Sequence, residues 1–296
     1  MKQILDTLID RLIDYAGIFP PAKLPMDQAV RNYANYARGG CAPALGRFVV
    51  PVARLGEFES AARGLHKPEE AAWPIAVLTG PKLDDDVSAI AEWNVRFAGR
   101  AVIDTIEAKV TDGREIELIA RLVSPAQTAY LEVLLQNDLE KTIDALAKAG
   151  VRAKVRTGGV TEEVFPSALQ LAEFVTLCAA KNVPFKATAG LHHPLRCTKP
   201  LTYEPGSRSA TMHGFVNLFV AAALARKGMT VDEAEALLEE RDPGAFRIEE
   251  SSLSWRDHTL QNDELAASRN EFAISFGSCS FDEPMNEIRQ LWDGEA

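Results

Sequence analysis

The sequence predicts an α/β fold: a (β/α)8 TIM barrel with an insertion between its seventh and eighth strands. Short apolar runs rich in β-branched residues alternate with longer stretches of helical period along nearly all of the 296 residues, the pattern of βα units around a parallel sheet. Eight such runs are found, the number that closes a barrel. No Pro/Gly/Ser-rich linker divides the chain, so residues 1–296 read as one domain. A doubly wound open sheet is the alternative for the same units.

The expected strands lie near "DYAGIFP", "RFVVPV", "PIAVLTG", "AVIDTIEA", "AYLEVLL", "VRAKVRTGG", "PFKATAG" and "AISFGSCSF". Ahead of the first, "MKQILDTLIDRLIDYAG" carries Asp6, Asp10 and Asp14 through its apolar positions. It reads as a short amphipathic helix, with neither the h-region of a signal peptide nor a spanning segment. Asn137 with Glu140 predicts a helix start and Gly150 its stop; Thr230 with Glu233 predicts another start. After the seventh strand come "HGFVNLFVAAALARKG", a second helix, and "FRIEESSLSWRDHTL", whose polar/apolar alternation suits a half-exposed hairpin. Residues 229–270 are therefore expected to form a helical and hairpin insertion over or beside the barrel mouth.

A composition of 47% hydrophobic and 25% charged residues is ordinary globular material, and the net charge of -10 argues against general affinity for nucleic acid or anionic membrane. A small anionic metabolite is the expected partner, through a local basic pocket. Cys41, Cys178, Cys197 and Cys279 lack CxxC pairing, so a reduced, cytoplasmic protein without a cofactor is expected. Assembly into a homo-oligomer stays open.

Alternation along a strand sends one set of side chains outward to the helices and the other into the barrel. Ala153 and Val155 belong outside, leaving Lys154 and Arg156 inside. Phe185, Ala187 and Ala189 leave Lys186 and Thr188 inside, and Leu131 and Val133 leave Tyr130 and Glu132. "AVIDTIEA" is ambiguous, with Glu107 a better interior candidate than Asp104. Strands about 4.8 Å apart would bring Glu132, Arg156 and Lys186 into one layer, at the strand ends where such barrels hold their sites.

A lysine flanked by Lys154, Arg156 and apolar walls has its charged form disfavoured by desolvation and by like charge, and the resulting neutral amine is a nucleophile. Lys186 is accordingly the candidate for an imine with an aldehyde or ketone, with Glu132 or Glu107 moving protons and Lys154 in the catalytic set. A paired, unreactive lysine is the competing reading. Arg156 with Gly158 and Gly159, and Gly277, Ser278 and Ser280 before the last helix, are candidate anion-binding groups, joined by Thr188 and Gly190. Of the adjacent histidines, His192 is a candidate acid or base and His193 a substrate-binding group. Their spacing matches no zinc motif, and a divalent metal is the alternative. Cys279 reads more readily as a buried thiol than as a nucleophile.

Two of these motifs resemble the deoxyribose-phosphate aldolase group of class I aldolases. "KATAG" at Lys186 to Gly190 is similar to that family's K-[ST]-S-T-G around its Schiff-base lysine, and "FGSCS" at Phe276 to Ser280 resembles its F-G-x-S-S phosphate loop. The resemblance implies Lys186 as nucleophile and Gly277 to Ser280 as phosphate cradle. The nearest match to that family's second lysine, Lys154 in "AKVRTGG", precedes Lys186 rather than following it, and the long insertion departs from the family pattern. The expected function is an enzyme acting on a small anionic carbonyl substrate, phosphorylated or carboxylated, by Schiff-base lyase or aldolase chemistry. The alternatives are a metal-assisted hydrolase or isomerase using His192, His193 and a carboxylate, and a barrel that binds a small acid without turning it over.

Overall fold

All eight apolar runs form strands of one closed parallel barrel in the computed structural model, which describes residues 2–110, 112–135 and 138–292. The barrel strands are β1 (Ile13–Tyr15), β2 (Leu45–Pro51), β3 (Trp73–Leu78), β4 (Ala101–Lys109), β5 (Thr128–Val133), β6 (Arg152–Arg156) and β7 (Phe185–Thr188). Four further segments, β8 (Cys197–Pro200), β9 (Ser209–Met212), β10 (Phe246–Ile248) and β11 (Ser252–Trp255), precede β12 (His258–Gln261) and the eighth barrel strand, β13 (Ala273–Ser278). Around the barrel the order is β1-β13-β7-β6-β5-β4-β3-β2, closed by parallel pairing of β1 with both β13 and β2.

Outward side chains build the layer between barrel and helices by packing aromatic rings. Phe48 lies against Tyr33 and Phe58, Phe185 against Phe174 and Phe272, and Phe276 stacks on Phe215. The helix Phe215–Ala225 is buried along its whole length. A helix apolar on every side needs cover on every side, and the helices Ala168–Ala180, Val231–Leu238 and Asn262–Glu271 supply it.

Much of residues 229–270 serves that purpose. Thr230 and Glu233 form the expected capping box at the start of Val231–Leu238. The alternating stretch makes a three-stranded antiparallel sheet, β10-β11-β12, one strand more than a hairpin. The N-terminal helix Gln3–Ile9 packs on Asn262–Glu271, and Lys2 donates to the Ile248 carbonyl. The barrel mouth is overhung instead by the antiparallel hairpin β8-β9, whose Pro200, Leu201 and Met212 face the pocket there.

Gly150 ends the helix Leu139–Ala149 in the left-handed region, at φ 69°, where a side chain would be strained. Asn137, expected to cap that helix, lies outside the described residues. Among the described residues no helix is long and apolar enough to cross a membrane.

Candidate active site

A pocket of about 710 Å³ opens at the C-terminal ends of the barrel strands. Val49, Leu78, Phe19 and Pro20 give it apolar walls, Glu107, Glu132 and Lys154 a buried charged base, and Lys109 and Arg156 charge nearer the mouth. Thr188, Gly190, His192, His193 and Cys279 complete the side formed by β7 and β13.

Parity holds on β5, β6 and β7. Glu132, Lys154 and Lys186 are register partners on adjacent strands, and all three are buried and inward. On β4 the register shifts: Ile75 pairs with Ile103 but Ala76 with Thr105, leaving Asp104 as the extra residue of a bulge. A bulge re-aims the residues beyond it. Asp104 thus pairs with Arg47 (2.6 and 2.9 Å), while Glu107, three positions on, joins the interior cluster.

The cluster is an alternating chain of opposite charges. Lys186 Nζ donates to Asp14 Oδ2 and, at 2.6 Å, to Glu107 Oε1. Lys154 Nζ stands 2.9 Å from both Glu107 Oε2 and Glu132 Oε2, and Arg156 Nε is 3.4 Å from Glu132 Oε1. Burial alone would raise the Glu107 carboxyl, but the two ammonium groups outweigh it and hold it at about 2. Glu132 is likewise lowered, by Lys154 first and then Arg156, against its own desolvation.

These contacts correct the expectation for Lys186. Desolvation does work against its ammonium, but Asp14 and Glu107 prevail and hold its pKa above the ordinary lysine value. Its neighbours in contact are carboxylates rather than the cations that parity placed beside it. Its side chain is 1% exposed and absent from the pocket wall, so of the two lysines in the cluster it is Lys154 that lines the cavity. Arg156 lies one inward step further along β6, its side chain 44% exposed at the mouth.

The predicted anion groups divide in the same way. Gly159, Thr188, Gly190 and Gly277 line the pocket, whereas Gly158, Ser278 and Ser280 do not. A side chain on Gly158 would run into Phe165 (2.4 Å), and one on Gly190, at φ +78°, would meet the Gly158 backbone at 2.8 Å. These two glycines let the β6 and β7 loops close on each other. The Ser278 hydroxyl accepts from Ser280 N–H, and the Ser280 hydroxyl accepts from Glu283 N–H at the start of the last helix, Asp282–Trp292.

His192 and His193 separate. His192 Nδ1 lies 2.9 Å from Glu283 Oε2, and its ring is driven up to about 9 because Cys279 and Glu283 together outweigh its burial. His193 Nδ1 is 2.9 Å from both Glu287 oxygens. His193, Glu283 and Glu287 each bring a donor atom within 4.8 Å of the others, so among the described residues they are the group that could hold a divalent ion. His213 is engaged elsewhere, with the Pro166 carbonyl at 2.8 Å, and Asn217 donates to the Leu237 and Glu240 carbonyls.

Four residues near the pocket escaped the sequence reading as site residues. Asp14 sits inside β1, where its parity in "LIDYA" was available as a signal had the strand been started one residue earlier. Lys109 lines the mouth one inward step beyond Glu107 and has no ion-pair partner among the described residues. Tyr203 and Glu283 come from the overhanging hairpin and the last helix, and only the tertiary arrangement brings them here. The chain matches no protein-family model, and no curated protein matches it.

Proposed function

We propose that this chain is an enzyme of lyase or aldolase type acting on a small anionic carbonyl compound, phosphorylated or carboxylated, held in the mouth of the barrel. The observation that carries the reading is a pocket-lining amine between two carboxylates, with two cations one step nearer the mouth. Lys154 lies 2.9 Å from Glu107 and from Glu132, and Lys109 and Arg156 follow Glu107 and Lys154 along their strands.

Each part has a physical role. Lys109 and Arg156 take the anionic group, Arg156 with the planar fork suited to carboxylate or phosphate. The carbonyl then reaches Lys154, whose proton passes to Glu132, the less buried of its two carboxylate partners. The freed amine adds to the carbonyl carbon and water leaves, giving an iminium. That iminium accepts the electron pair released when the neighbouring carbon–carbon bond breaks, and Glu132 serves the proton transfers.

Borohydride reduction in the presence of a panel of aldehydes and keto acids tests the reading. A mass adduct is expected on the Lys154 peptide, lost in Lys154→Gln, with Lys186 unmodified. No adduct on any lysine across the panel overturns the imine step.

A further inference from the structure

Beside the lysine cluster, where the loops after β7 and β13 come together, the pocket carries a second constellation of chemically capable side chains that the imine reading does not use. Cys279 directly follows β13 and His192 lies in the loop after β7, the strand paired with β13, so their closeness is set by the barrel itself. Glu283 comes from the first turn of the helix Asp282–Trp292 and Tyr203 from the hairpin that overhangs the mouth. All four line the cavity.

His192 and Glu283 have the order of a base and a group that orients it, and Cys279 supplies a nucleophile on the same wall of the cavity. Glu283 Oε2 accepts from His192 Nδ1 at 2.9 Å, so Nε2 is the ring nitrogen left to exchange a proton. Tyr203 Oη is 3.2 Å from the same carboxylate and 3.9 Å from Cys279 Sγ. Tyr203 thus bridges the Cys279 thiol and the carboxylate that holds the His192 ring, so ring and sulfur share one wall of the cavity. None of the other three cysteines lines the pocket: Cys178 is buried, and Cys41 and Cys197 are half-buried elsewhere.

We propose that Cys279 is a nucleophile toward small anionic aldehydes and related electrophilic carbonyl compounds, with His192 as its proton acceptor and donor, Glu283 as the positioning residue for the ring, and Tyr203 closing the site over the sulfur. The proton that Cys279 gives up is held on His192. Sulfur adds to the carbonyl carbon, a C–S bond forms, and the C=O π pair moves to oxygen, which takes the proton back from His192. The product is a thiohemiacetal with an uncharged hydroxyl and the substrate's anionic group unchanged, formed reversibly and with no change of oxidation state. This goes beyond the imine reading, since it needs neither Lys154 nor loss of water, and it shares with that reading only the cavity.

The test is carbamidomethylation of the intact protein by iodoacetamide, followed peptide by peptide. Cys279 is expected to label about tenfold or more faster than Cys41 or Cys197, and the excess to fall about tenfold in His192→Gln and severalfold in Glu283→Gln. The pKa of Cys197, pushed up to about 11 by burial and then Glu287, makes it a slow internal reference. Cys178, fully buried, labels only on unfolding and reports whether each variant is folded. In the wild-type protein, glyoxylate without borohydride is expected to slow labelling of Cys279 and leave Cys41 unchanged, a readout independent of any variant. A Cys279 that labels no faster than Cys41, a folded His192→Gln that labels like wild type, or no protection by glyoxylate overturns the proposal. Lysine adducts fall on a different peptide, so failure here and failure of the imine reading are told apart.

Discussion

Lys186 shows how a single residue's chemistry depends on which charges touch it. Replacing it with methionine leaves Asp14 and Glu107 buried without their shared cation, a change expected to cost about 3–5 kcal/mol at pH 7. The pH dependence follows from the directions of the shifts. Glu107, lowered from the ordinary 4.5 to about 2, contributes stability that is present above the ordinary value and is lost as pH falls toward 2. Lys186, raised from the ordinary 10.5, contributes stability present below that value and lost only as pH rises beyond it. Urea denaturation should therefore show the gap between wild type and Lys186→Met narrowing from pH 7 to pH 3. A gap under about 1 kcal/mol at pH 7 is what an unpaired or solvated lysine would give.

At the scale of elements, the barrel is fastened where its ends meet. Arg269, fully buried at the end of the helix Asn262–Glu271, donates to the carbonyls of Leu8 (2.8 Å), Asp10 (3.0 Å), Ala273 and Ile274 (2.6 Å). It ties the N-terminal helix and the turn before β1 to the start of β13. Arg269→Met would leave several buried carbonyls unsatisfied, each worth about 1–3 kcal/mol, and is expected to cost at least about 3 kcal/mol in a denaturation curve. A loss below about 1 kcal/mol would mean that water or relaxation replaces those bonds. The β4 bulge belongs to the same scale. It explains why counting alternate residues was ambiguous on "AVIDTIEA" and clear on "VRAKVRTGG", since one extra residue reverses the parity of everything after it.

For the whole molecule, a net charge of -10 coexists with a mouth that presents Lys109 and Arg156 to the pocket. Low-dielectric walls focus such a local field on a small anion even when the protein as a whole is acidic. Oxalate or phosphate at millimolar concentration should raise the melting temperature by about 2–4 °C, through binding to the folded state alone. In a variant carrying both Lys109→Met and Arg156→Met the rise should disappear. An equal rise in both proteins would assign the effect to general salt.

The eight strands were legible because a strand's apolar period is a local property, and so was the inward set on β5, β6 and β7, where alternation runs unbroken. The capping box at Thr230 was legible for the same reason. The partners of the inward charges were not, because they depend on barrel closure and strand register. Asp14 reaches Lys186 across 172 positions of chain, and Cys279, His192, Glu283 and Tyr203 meet only after β13 pairs with β7 and the β8-β9 hairpin folds over the mouth. By itself the sequence determined a barrel with a lysine on an inward face. The tertiary structure alone decided that Lys186 is the paired cation of a buried cluster and that Lys154 meets the pocket, because an ammonium takes its character from the carboxylates that closure brings to it.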